Sequence, residues 1–169
     1  EEHSAEFWNP ILADAIARRK EPVFAVEHLK DALEELKALI PANWAELGVQ
    51  RDNPPDVNWG FFLLANASGQ LVFYTARLDE ELIGYAPFTV AKNPMYQTRT
   101  WAWSILLWLD PRYRKLGYGR KFQQFWDQDL KLRGVYVISI GVNVLVPDLM
   151  YMLKDDGYVT TTCGMDKRL

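Results

Sequence analysis

The chain has 169 residues, 49% apolar and 24% charged, with a formal net charge of −3. That is the mix of one globular core, and it excludes a wholly disordered chain and a collagen-like fibre. One Cys and two His exclude an internal disulfide and leave too few soft ligands for a structural zinc site, so no metal is expected. The acidic balance argues against a broad nucleic-acid-binding face. No apolar run approaches the roughly 18–20 residues that cross a bilayer, so no membrane contact is expected. The start, Glu-Glu-His-Ser-Ala-Glu, lacks the basic and apolar regions of a secretory signal, and a cytoplasmic protein is the expectation.

Residues 1–21 read as a charged extension. Phe7, Trp8, Ile11, Leu12 and Ile16 make it weakly amphipathic, the pattern of a helix packed on the body or on a second copy in a homodimer. Pro22 to Val26 predicts a first strand. Val26, Leu29, Leu33, Leu36 and Ile40 recur at helical steps, and Pro41 is expected to end that helix. Residues 51–56 read as a loop, with Asp56 capping a short helix that carries Trp59, Phe62 and Leu63. Leu71–Arg77 and Leu82–Val90 predict a hairpin turned at Asp79-Glu80-Glu81. Thr100–Leu109 reads as one continuous buried strand. Gly117–Leu132 predicts a helix with Gly134 as its stop, Val135–Val142 a strand, Asp148–Lys154 a short helix, and Tyr158–Leu169 a last strand. The order β α α β β β α β α β is that of an α/β domain around one sheet.

The chemistry concentrates where the Thr100–Leu109 strand runs through Asp110-Pro111 into Arg112-Tyr113-Arg114-Lys115-Leu116-Gly117-Tyr118-Gly119-Arg120-Lys121. Two glycines let the backbone turn tightly, and the first turn of the following helix offers N–H groups and a positive dipole end. Five basic side chains add charge. Together they predict a pyrophosphate cradle. The eight-residue P-loop pattern is absent, and the dinucleotide fingerprint fails because position 122 is Phe. The plain alternative is a strand–helix turn with a solvated basic face.

Arg114-x-x-Gly117-x-Gly119, preceded by Leu107-x-Leu109-x-Pro111, resembles the acyl-CoA-binding motif of the GNAT N-acetyltransferase superfamily. By element order the resemblance covers residues 22–169, one GNAT-like domain following the 1–21 extension. It implies a mixed, mostly antiparallel sheet flanked by helices, with parallel strands 4 and 5, here Trp101–Leu109 and Val135–Val142, splayed apart. Ile83-Gly84-Tyr85, Tyr96 and Lys167-Arg168-Leu169 look like small acetyltransferases of tailed bacteriophages and prophages, which implies a host cytoplasm. The resemblance further implies acetyl-CoA as co-substrate and direct transfer of its acetyl group to a primary amine of a small molecule or protein. Backbone groups of Leu107, Trp108 and Leu109 would pair with the pantetheine arm as a strand would. Arg114, Lys115, Leu116, Gly117, Tyr118, Gly119 and Arg120 would hold the pyrophosphate.

The resemblance also implies a Tyr four residues before the Gly157-Tyr158 pair, but position 153 is Leu. Tyr151, the nearest alternative, lies about 200° round the helix. The Asn expected eleven residues before Gly157 is Val146, and Asn143 is off register. The acidic residue that relatives carry in the fourth strand is replaced by Ser104. Glu46, Tyr85 and Tyr151 remain as catalytic candidates, with Tyr96 and Tyr118 as further hydroxyls. Asp110, before a proline, is expected to shape a turn, and Cys163 to pack. Alternation along one strand puts Trp101 and Trp103 on one face and Trp108 on the other. A rival reading is a CoA-binding module without catalysis that grips a protein or nucleic acid. A third, acetylation of nucleic acid, rests on Arg112–Lys121 and the aromatics.

Overall fold

The β-rich run after residue 70 folds into the frame on which everything else is built. The computed structural model describes residues 20–46, 54–142 and 147–161. In chain order these form β1 (Val23–Glu27), α1 (Leu33–Ala45), α2 (Trp59–Ala67), β2 (Leu71–Leu78), β3 (Glu81–Asn93), β4 (Tyr96–Ser104) and β5 (Trp108–Leu109). A 3-10 turn (Pro111–Tyr113), α3 (Tyr118–Leu132), β6 (Val135–Ser139) and α4 (Pro147–Asp155) follow. The sheet order is β1-β2-β3-β4-β6, with β5 paired to β3. All neighbours are antiparallel except β4 and β6, which run parallel. This is the single α/β sheet that the element order predicts, mixed and mostly antiparallel as the resemblance implies.

The β2–β3 hairpin closes at Asp79 and Glu80, both with positive φ. Two left-handed residues give a turn whose twist matches the strands it joins. The Lys20 ammonium bonds both Asp79 oxygens, and Arg77 donates to the Glu80 carbonyl. Alternation then sorts side chains to two faces. Val72, Tyr74, Ala86, Phe88 and Ala102 meet Phe122, Trp126 and Leu130 of α3 on one. Leu71, Phe73, Tyr85 and Trp108 meet Leu36, Ile40 and Ala65 of α1 and α2 on the other.

Several boundaries differ from the sequence expectation. Val26 belongs to β1, and α1 begins at Leu33. Pro41 lies inside α1, which continues to Ala45 because tertiary contacts hold its last turn; Asn43 there is buried and donates to the Tyr85 hydroxyl at 2.8 Å. Asn58, not Asp56, caps α2 by accepting from the Phe61 amide. Gly117 caps α3 rather than starting it, and β6 ends at Ser139. Residues 158–161 are not strand. The expected helix within 1–19, Asn143, Val146 and Cys163 lie outside the described residues.

The correction that matters most falls on the strand read as continuous from Thr100 to Leu109. It stops at Ser104 and resumes at Trp108. Phe88 pairs with Ser104, but Tyr85 pairs with Trp108. Three steps along β3 therefore span four along its partner, which is a one-residue bulge. Pro87 stands opposite the break. Its carbonyl accepts from the Ile105 amide, but it has no N–H to return. The bulge also shifts the faces. Trp108 pairs with Tyr85 and stacks on it, 5.7 Å between ring centres, and so shares the α1–α2 face with Trp101 and Trp103. The expected opposition between Trp108 and the other two is thereby overturned.

Candidate active site

β6 pairs with β4 only as far as Trp103 and Ser139. Past that point the bulged chain stays on β3 as β5, which makes no pair with β6. The unpaired stretch between the two parallel segments is the candidate slot, and beside it the Gly141 amide donates to the Ser104 hydroxyl at 3.2 Å. β5 is pressed onto β3 by Gly84. A Cβ there would stand 3.0 Å from both the Trp108 carbonyl oxygen and Leu109 Cδ1. Since the Trp108 carbonyl faces β3, strand alternation turns the N–H and C=O of Leu109 toward the slot.

The chain then turns sharply. Asp110, buried, accepts from the Arg112 amide at 2.8 Å and opens the 3-10 turn. The Arg112 guanidinium beside it holds its carboxyl below the usual carboxylate range. This is the turn-shaping role expected before Pro111. Lys115 (φ 60°) and Gly117 (φ 83°) are both left-handed, and α3 starts directly after. The opening amides of an α-helix lack carbonyl partners within the helix, and its dipole is positive there. Gly119 brings this first turn against α4, its Cβ position 3.6 Å from Met152 Sδ.

The basic side chains of the loop are largely engaged by carboxylates. Arg112 pairs with Asp110 and Glu81, Arg114 with Glu46, Arg120 with Asp155 and Asp156, and Lys121 with Glu21. Lys115, well exposed, has Asp148 at 4.0 Å. Backbone amides and the least engaged cation, Lys115, are therefore what the loop offers as a candidate cradle, where the sequence suggests a strongly basic patch. Apart from Asp110, two residues before Arg112, the compensating acids are scattered from Glu21 to Asp156, beyond any local window.

The other predicted residues separate. Leu107 packs beside the α3-side core. Leu109 faces the slot, but its carbonyl accepts from Arg114 Nε at 2.7 Å. Trp108 is buried, with its indole N–H on Glu46 at 3.2 Å. The Tyr118 ring is buried, and its hydroxyl donates to the Lys20 carbonyl. Leu116 is half-buried. Of the catalytic candidates, Tyr85 is 0% exposed, accepts from Asn43, and has its hydroxyl pKa pushed up by burial. Tyr151 is 61% exposed on α4, whereas Leu153 points into the core at 3%. Both Glu46 oxygens bond Arg114, at 2.8 and 2.9 Å. The structure does not bring these three candidates together as an acid–base set. Tyr96, also exposed, stacks on Trp101, and Trp101 meets Trp103, forming an aromatic row on the α1–α2 face of β4. Asn43, Gly84 and Pro87 have structural parts that the sequence reading missed. Pro87 inside a β-rich run was the signal for a broken ladder.

The model of the acetyltransferase (GNAT) family matches residues 29–145. The chain belongs to this family. None of the curated proteins compared matches its sequence. Among solved structures, an aminoglycoside acetyltransferase from an uncultured soil metagenomic sample, in complex with sisomicin, is similar in fold. Its TM-score is 0.69 at 10% identity, over 88% of this chain and 96% of that one. A transcriptional regulator from Bacillus halodurans C-125 gives a TM-score of 0.70 at 16% identity, over 88% and 99%. A ribosomal-protein-alanine N-acetyltransferase from Brucella melitensis biovar Abortus 2308 gives 0.64 at 16%, over 88% and 99%. At these identities the likeness is one of fold. The GNAT domain has no helix, among the described residues, long and apolar enough to cross a membrane.

Proposed function

We propose that this GNAT domain binds acetyl-CoA and transfers its acetyl group directly to a primary amine of a small molecule or protein. The observation that carries the reading is the bulged β4–β5 edge, open toward β6, leading straight into the left-handed Lys115–Gly117 loop at the start of α3. The slot suits the pantetheine arm beside Leu107–Leu109. The amides from Leu116 to Arg120, with Lys115, suit the pyrophosphate. In the reaction the amine nitrogen attacks the thioester carbonyl carbon. A C–N bond forms, the C–S bond breaks, and the proton released by the amine ends on the departing thiolate. The site supplies alignment and anion binding, which lower the barrier without a dedicated base when the amine arrives unprotonated. Division of the chain into a 1–21 extension and a 22–169 domain, and the likeness to the phage-type branch acting in a host cytoplasm, remain the finer parts of this reading.

Titration calorimetry with acetyl-CoA, followed by thiol release across a panel of amines, tests it. Binding near one equivalent with acceptor-dependent thiol release is the expected result. No binding and no thermal shift would remove the reading. A second reading is favoured by one observation: buried Leu153 stands where the family resemblance implies an acidic Tyr. Stoichiometric CoA binding with no thiol release from any amine would support that reading, a CoA-binding module without catalysis.

A further inference from the structure

Glu46 closes a circuit that the transfer reaction itself does not require. Its Oε1 accepts from Trp108 Nε1 at 3.2 Å and from Arg114 Nη2 at 2.9 Å, and its Oε2 from Arg114 Nη1 at 2.8 Å. Arg114 Nε meanwhile donates to the Leu109 carbonyl at 2.7 Å. One planar guanidinium thus ties the C-terminal end of α1 to the slot-facing edge of β5. Such a two-pronged pair fixes geometry better than a single contact between flexible chains does. A second thread runs in parallel. Asn43, three residues earlier on α1, holds the Tyr85 hydroxyl, and the Tyr85 ring stacks on Trp108. The first thread ends at Arg114, directly before left-handed Lys115 and Gly117 at the start of α3, and the second ends on β5 at Trp108.

We propose that Glu46 is a positioning residue for the cofactor loop. Through Arg114 it sets the path of residues 114–117, and so the direction in which the α3 amides meet the pyrophosphate. Arg114 accordingly acts from behind the loop, with three of its nitrogens turned to protein acceptors, instead of gripping phosphate from the front. Residues that hold a binding group in place from behind can govern affinity without touching the ligand. Glu46 also caps the Leu109 edge indirectly: while Arg114 holds that carbonyl, the neighbouring Leu109 N–H is the β5 group turned to the slot.

The inference rests on the acetyl-CoA reading above, and the test separates the two. The full chain and its Glu46→Ala, Glu46→Gln, Arg114→Ala and Glu46→Ala/Arg114→Ala variants are titrated with CoA by calorimetry, with thermal melts alongside. The dissociation constant for Glu46→Ala is expected to rise about five- to tenfold, the range for groups coupled through one network. Glu46→Gln, which keeps one oxygen acceptor, should recover part of that loss, and it is the variant to read if the Ala form fails to fold. The double variant should bind no worse than Arg114→Ala alone. A purely structural role would lower the melting temperature and leave CoA affinity unchanged in the folded protein, which overturns the proposal. Independent, additive losses from the two single substitutions would overturn it too. Absence of CoA binding by the unsubstituted chain would remove the acetyl-CoA reading itself, and the inference with it.

Discussion

The β1–β2–β3 half of the sheet and the β4–β5–β6 half are made from similar residues but are built to opposite ends. In the first, five pairs join β1 to β2, and the β2–β3 ladder holds register from Leu71–Thr89 to Ala76–Gly84, shifting only near the turn. Its middle is buried, from Leu71 to Ala76 of β2 and from Leu82 to Phe88 of β3, while β1 stays half-buried to exposed. In the second, β4 breaks at the bulge, β5 keeps two residues, and β6 leaves β4 after Ser139. Regular pairing satisfies the ladder groups between neighbouring strands. A broken ladder leaves backbone groups aimed outward, where a ligand that behaves as a strand can use them. The regular half carries the fold, and the interrupted half carries the candidate site.

That contrast can be broken at graded cost. Phe88→Ala, in the regular half, removes a fully buried ring packed against Tyr74 and Trp126. It should cost about 3–5 kcal/mol in denaturant unfolding, with CoA affinity of the folded protein unchanged. Gly84→Val strikes the seam between the halves. Its added carbons meet the Trp108 carbonyl and Leu109, so about 1–3 kcal/mol of stability should be lost together with CoA affinity. Loss of stability alone would mean that β5 does not shape the slot. Gly117→Ala acts only in the interrupted half. Its Cβ would meet nothing within 4 Å, so the cost is that of a left-handed alanine, about 1–2 kcal/mol, read as weaker CoA binding in calorimetry.

Smaller effects sharpen the comparison. Glu27 of β1 is bonded by Arg77, which holds its carboxyl below the usual range. A lowered acid contributes stability in full above its unfolded pKa of about 4.3, and that contribution is lost as pH falls through the lower folded value. Glu27→Gln should therefore cost about 0.5–1 kcal/mol at neutral pH and flatten the acid limb of a stability–pH profile. The pair is partly solvent-exposed, so the effect should shrink in salt. Tyr151→Phe should change neither melting temperature nor thiol release, within about 0.5 kcal/mol, because its ring projects from α4 into solvent. A clear loss of thiol release there would restore Tyr151 as a proton donor.

The turn into α3 was legible because its cause is local. Arg114-x-x-Gly117-x-Gly119 places a left-handed glycine directly before a helix, and the backbone requirement is written in the residues themselves. The hairpin was legible for the same reason. Asp110 was read correctly as a turn former, since a side chain before proline caps its own neighbourhood. Glu46 was a different case. Its partners lie 62 and 68 residues away, so the sequence, which offers it as a base, carries no sign that Trp108 and Arg114 hold its oxygens. The carboxylates that meet Arg120 and Lys121 are likewise far off in the chain, whereas Asp110 is two residues from Arg112.

The sequence by itself determined the α/β order, the alternation that fills both faces of the sheet, and the loop that resembles the acyl-CoA-binding motif. These follow from periodicity and from backbone preferences, which act over a few residues. Only the tertiary structure decided where β4 breaks, that Trp108 joins Trp101 and Trp103 on one face, and which carboxylate meets which guanidinium. Each of those depends on a partner distant in the chain: Pro87 opposite the bulge, Gly84 beneath β5, Glu46 against Arg114. A one-residue slip reverses every side chain beyond it, and a net charge of −3 does not say how its charges pair.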